Sequence, residues 1–114
     1  MKHYTLDGKT PLLATDFGEW ALWFETANRR VAFTQLKNVS VSTVFLGTDQ
    51  ALLPGDPPLL FETKVFGGPA DAELRRYATW DDAEQGHGAV VSRIEALLGS
   101  MGPRAKMDSM PEGA

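Results

Sequence analysis

From Arg30 to Tyr77 apolar and polar side chains alternate in short runs, and from Trp80 the period lengthens to that of a helix. Val31 and Phe33 alternate with Ala32 and Thr34, Lys37-Asn38 offers a turn, and Val39, Val41, Thr43 and Phe45 then share one side of a run ending at Leu46. β-branched residues at a period of two suit a pleated, half-buried surface, so these runs predict an antiparallel hairpin. Residues 47–58 read as a loop, opened by Gly47-Thr48-Asp49-Gln50 and closed by Pro54-Gly55-Asp56-Pro57-Pro58. A third strand follows over residues 59–66, with Leu59, Phe61, Thr63 and Val65 on one face and Glu62 and Lys64 on the other. Gly67-Gly68-Pro69 breaks it, and residues 73–78 form a last, more polar strand. That polarity marks a sheet edge, where another chain can add a strand.

Two helices complete the pattern. Thr79 is placed to cap the second, and Asp81, Asp82 and Glu84 complement the positive end of its dipole. Trp80, Ala83, His87, Val90, Val91, Ile94, Leu97 and Leu98 make its apolar stripe, which ends at Gly99. The first helix is expected from Phe17 to about Ala27, opened by an Asp16/Glu19 capping box. Phe17, Trp20, Ala21 and Phe24 fall on one of its faces, which leaves Trp23 as rim or contact surface. A short strand over residues 3–6 closes at Asp7-Gly8, and Pro11 is expected to interrupt any regular element. The predicted architecture is α+β, in the order β-α-β-β-β-β-α: an antiparallel sheet of four to five strands with two helices packed on one face. Residues 1–99 form a single domain, and residues 100–114, with two prolines and two glycines, form a flexible C-terminal tail.

Composition narrows the chemistry more than it names it. At 114 residues the chain is one domain, large enough for a core without crosslinks. It has no cysteine, which excludes disulfides, thiolate metal sites and cysteine nucleophiles. The formal charge is −4, and the only basic pairs are Arg29-Arg30 and Arg75-Arg76, so direct nucleic-acid binding is disfavoured. No apolar run approaches the roughly 20 residues of a membrane span, and the N-terminus lacks the apolar core of a signal peptide, so the expected location is the cytoplasm.

The candidate chemistry centres on His87, flanked by Gly86 and Gly88 on the apolar stripe. It reads either as a titrating or ligand-contacting imidazole in a cleft between helix and sheet, or as a structural histidine bonded to a strand carbonyl. Asp49 and Glu62 are the carboxylates to watch beside it, but no catalytic partner, metal-ligand spacing, P-loop or nucleophile elbow is visible. No catalytic residue, metal or cofactor is therefore assigned. Large aromatic residues and arginines favour binding hot spots, which makes Trp23, Arg75, Arg76 and Tyr77 the candidate partner contacts.

Three ordered segments carry a family resemblance: Val41-Ser42-Thr43-Val44-Phe45-Leu46-Gly47; Pro57-Pro58-Leu59-Leu60-Phe61-Glu62-Thr63 with Val65-Phe66-Gly67-Gly68; and Arg76-Tyr77-Ala78-Thr79-Trp80 through Ala83, Gly86 and His87. Together with Trp20-Ala21 and Phe24-Glu25 they resemble a family of small phage- and prophage-encoded proteins, over roughly Trp20 to Val91. The family often carries a histidine after the loop aspartate, where this chain has Gln50, which weakens a two-histidine site. The resemblance implies phage kinship without naming an activity. With the small size, the negative charge and the lack of a catalytic constellation, the expectation is a phage-derived accessory protein that acts by protein–protein binding in the host bacterial cytoplasm, as an inhibitor of a host defence complex or as a minor virion component. The alternative is a small enzyme or metal-dependent nucleic-acid-processing factor centred on His87.

Overall fold

Alternation and turn chemistry place the strands. A computed structural model describes residues 1–106, and their side chains as far as Gly99. The chain runs β1 (Tyr4–Asp7), β2 (Thr10–Leu13), α1 (Phe17–Thr26), β3 (Arg30–Leu36), β4 (Val39–Phe45), β5 (Phe61–Phe66), β6 (Leu74–Tyr77) and α2 (Trp80–Lys106). The fold is α+β: β3-β4-β5-β6 form a four-stranded antiparallel meander, and β1-β2 form a separate hairpin.

Pro11 does not interrupt the first element as expected. It sits inside β2 opposite Leu6, and Asp7 pairs with Thr10 across a tight turn at Gly8-Lys9. A two-stranded hairpin has outer edges on both sides, and proline is tolerated where its missing N–H faces no partner. The third strand also starts later than expected. Leu59 remains in the β4–β5 loop, although its N–H and carbonyl are both bonded within that loop.

Register explains the core. Val39, Val41, Thr43 and Phe45 of β4 are fully buried, as are Phe61, Thr63 and Val65 of β5, while the residues between them are half-buried. α2 lies across all four strands on that face. Its stripe divides the core in two: Val90 and Ile94 join Val39, Val41 and Val65 at one end, and Ala83 joins Phe45, Leu60 and Phe61 at the other. α1 rests on β1 and sends Trp23 against Phe45, edge to face at 6.0 Å between centroids. Trp23 is thus half-buried at the rim of the second cluster. Trp20 and Phe24 stack on each other instead, with Trp20 Nε1 donating to the Tyr4 carbonyl.

Both helix starts follow their caps. Asp16 accepts from the Glu19 N–H and Thr79 Oγ1 accepts from the Asp82 N–H. The second end differs from expectation, because α2 continues past Gly99 to Lys106. A glycine stops a helix when it adopts the left-handed conformation of a C-terminal cap, and Gly99 keeps helical backbone. Residues 100–106 therefore prolong the helix, and residues 107–114 of the expected tail lie outside the described residues.

Candidate functional site

His87 occupies the seam between the two apolar clusters. The residue is only 6% exposed. Thr43 and Thr63 face each other across β4 and β5 in the same side-chain row, and Thr34 lies one row further along on β3. His87 Nδ1 lies 2.7 Å from Thr43 Oγ1, and Nε2 lies 2.9 Å from Thr34 Oγ1. Thr43 Oγ1 in turn lies 2.6 Å from Thr63 Oγ1. The expected carbonyl partner is replaced by two hydroxyls, with that of Thr63 behind Thr43, and each can donate or accept, so either neutral tautomer is satisfied.

Burial pushes the His87 imidazole below its ordinary value of 6.5, because a charged ring loses its hydration there. Both ring nitrogens are engaged by threonines, and no carboxylate is hydrogen-bonded to either. Glu62 points to the opposite sheet face, where it pairs with Arg76 at 3.1 Å. The neighbouring glycines divide in role. A Cβ on Gly86 would run into the Tyr77 ring, so the helix approaches β6 closely there, whereas a Cβ on Gly88 would meet nothing.

Asp49 does its work in the β4–β5 loop. One carboxylate oxygen accepts the N–H groups of Ala51 and Leu59, at 2.8 and 3.0 Å, and so ties the two ends of the loop together. Gln50 adds a backbone bond to the Leu59 carbonyl. The staple lifts Leu52 and Leu53 into solvent, 92% and 65% exposed. Beneath them Pro57, Leu59 and Ala78 line an open apolar cleft of about 640 Å³. A second cleft, about 550 Å³, lies on the other side of the loop, against Met1, Lys2 and Tyr4. Asp49→Ala should remove both hydrogen bonds, cost about 1–3 kcal/mol and loosen the loop without unfolding the domain. Hydrogen exchange confined to residues 47–60, with a modest fall in the denaturation midpoint, is the expected record.

The four expected contact residues do not form one surface. Arg76 lies on the open sheet face with Glu62, whereas Arg75 and Tyr77 alternate to the helix side. Arg75 shares Glu73 with Arg93 of α2. Tyr77 and Trp80 both pack against the second cluster, and the Tyr77 hydroxyl and the Trp80 indole N–H are buried without a protein partner among the described residues. Trp23 is committed to Phe45. The exposed leucines of the loop carried the stronger signal, two apolar residues inside a Pro/Gly-rich turn, but a loop gives no period to separate contact residues from chance exposure.

Among the described residues no group of three or more potential metal-binding side chains converges, and no helix is long and apolar enough to cross a membrane. No family model, curated protein or solved structure matches the chain.

Proposed function

We propose that this protein is a non-catalytic, phage- or prophage-derived accessory protein that binds another protein through the β4–β5 loop. The observation that carries the reading is Leu52 and Leu53, held exposed over an apolar cleft by the Asp49 staple. A solvated leucine pair on a fixed loop is costly to a monomer's solubility and useful at an interface. The best-placed imidazole supports the same reading from the other side: His87 is consumed by threonines and shielded from solvent, and general acid–base work needs a group that reaches its substrate. Small size, mild negative charge and the resemblance to phage-encoded proteins favour a partner in the host bacterial cytoplasm, with a host defence complex or the virion as its setting.

The partner surface has an apolar knob that enters the cleft between Leu53, Pro57 and Ala78. Affinity capture from host lysate tests the reading when wild type is compared with Leu52→Asp/Leu53→Asp. Both leucines are exposed, so the double variant should keep its thermal midpoint while losing a stoichiometric partner at least tenfold, on the scale of hot-spot truncation. Equal recovery by the two proteins would remove the loop from the interface.

A further inference from the structure

The sheet face opposite α2 gathers residues that lie far apart in the chain. Its rows read Arg30, Val44, Glu62, Arg76; then Phe33, Ser42, Lys64, Leu74; then Gln35, Ser40, Phe66. Three cations thus meet a single carboxylate, which is itself paired with Arg76, on a chain whose overall charge is negative. Phe33 and Phe66 are 44% and 48% exposed, each with a cation over its ring: Arg30 at 4.8 Å and Lys64 at 5.4 Å from the centroid.

The geometry points to this open face as a binding platform for single-stranded nucleic acid, with Phe33 and Phe66 stacking bases and Arg30, Lys64 and Arg76 meeting phosphates. Two features select this ligand over an acidic peptide. The half-exposed rings offer π-faces that a peptide carboxylate does not use, and the cation over each ring can move from it to a phosphate as a base takes its place. A sheet presenting aromatic residues across its strands suits splayed bases and excludes a duplex, whose bases are already stacked. Phe33 on β3 and Phe66 on β5 lie two strands apart and one row offset, about 12 Å by strand spacing and rise, so their bases would be separated by at least one nucleotide. Ser40 and Ser42 lie between the rings without bulk, leaving the surface open to the strand. Net charge and the scarcity of adjacent basic pairs disfavour nucleic acid, but alternation across β3, β5 and β6 builds the basic face from residues that are not adjacent.

Fluorescence anisotropy of a short fluorescein-labelled oligothymidylate tests the assignment, with Phe33→Ala, Phe66→Ala, their double variant and Arg30→Glu. Each ring removal should weaken binding about fivefold or more, and the double variant should lose it. The slope of log K against log salt should be about −2, as expected for three phosphate contacts on a single strand. Thermal unfolding confirms that the variants remain folded. No binding at low salt, or an unchanged affinity in the folded double variant, would overturn the proposal. Polyglutamate competing as well as the oligonucleotide would overturn it in favour of an acidic protein, and sedimentation showing a dimer that dissociates in the double variant would assign the face to a second copy of this chain.

Discussion

Ile94→Asp should abolish cooperative unfolding at room temperature. Ile94 is fully buried where α2 crosses the sheet, packed among Val39, Val41, Val65 and Val90. That cluster offers an aspartate only aliphatic neighbours, so the substitution both opens a cavity and strands a polar or charged group. Ile94→Ala isolates the first effect, at about 2–5 kcal/mol. The aspartate adds the cost of an unpaired buried carboxyl, and the sum is comparable to the whole stability of a small domain, about 5–15 kcal/mol. Far-UV circular dichroism against urea gives the answer. The alanine variant should show a lowered midpoint with a retained transition, and the aspartate variant no transition. A two-state curve for Ile94→Asp would mean that α2 does not dock on the sheet through this position.

Acidification should cost this protein stability through one identifiable group. In the unfolded chain His87 takes up a proton as pH falls through about 6.5, its ordinary value; in the fold, burial holds the ring neutral to a lower pH. Between those two points the unfolded chain binds more protons than the native one. The His87 contribution is therefore complete above pH 6.5 and declines as the pH falls toward the folded value. Below both it is constant at its lowest level. The threonine cluster does not prevent protonation by hydrogen bonding, since Thr43 and Thr34 can both accept from a charged imidazole. Desolvation is what opposes it. Urea midpoints measured from pH 8 to pH 5 for wild type and His87→Gln should differ by a constant amount above pH 6.5 and converge on acidification. Parallel curves would show that His87 does not titrate differently in the two states. Thr43→Val complements the test at constant pH. It removes the hydroxyl shared by His87 and Thr63 and should cost about 1–3 kcal/mol, because two buried polar groups lose a partner. A neutral result would mean that the cluster is not needed to seat the helix.

The two halves of the core and the polar row between them were differently legible. Val39, Val41 and Phe45 announced their burial by strict alternation, and Ala83, Val90 and Ile94 by helical spacing. Thr43 and Thr63 sat in the same alternation, yet nothing in a linear pattern shows that two buried hydroxyls face each other or that a helix histidine reaches them. Gly86 was visible as an oddity beside His87; its cause is the Tyr77 ring on another element. The capping signals at Asp16 and Thr79 were met because a cap is a local contract over three residues. Pro11 departs from expectation and Trp23 packs where its own helix does not show, both for a reason outside the local pattern. Trp23 is off the local stripe but packs against the edge of a core that Phe45 supplies, and Pro11 is acceptable only because β2 has a free edge.

Local chemistry determined the elements: a period of two needs only neighbouring residues to define a strand, a period near 3.6 defines a helix, and caps and turn residues mark most of their ends. Tertiary structure decided everything that depends on which elements meet. It placed the imidazole among threonine hydroxyls, made Asp49, a carboxylate to watch, into a loop staple, raised Leu52 and Leu53 over a cleft, and collected Arg30, Lys64 and Arg76 on one face. The physical reason is that burial, desolvation and charge density are sums over space, and the order of residues along the chain does not state which of them are near.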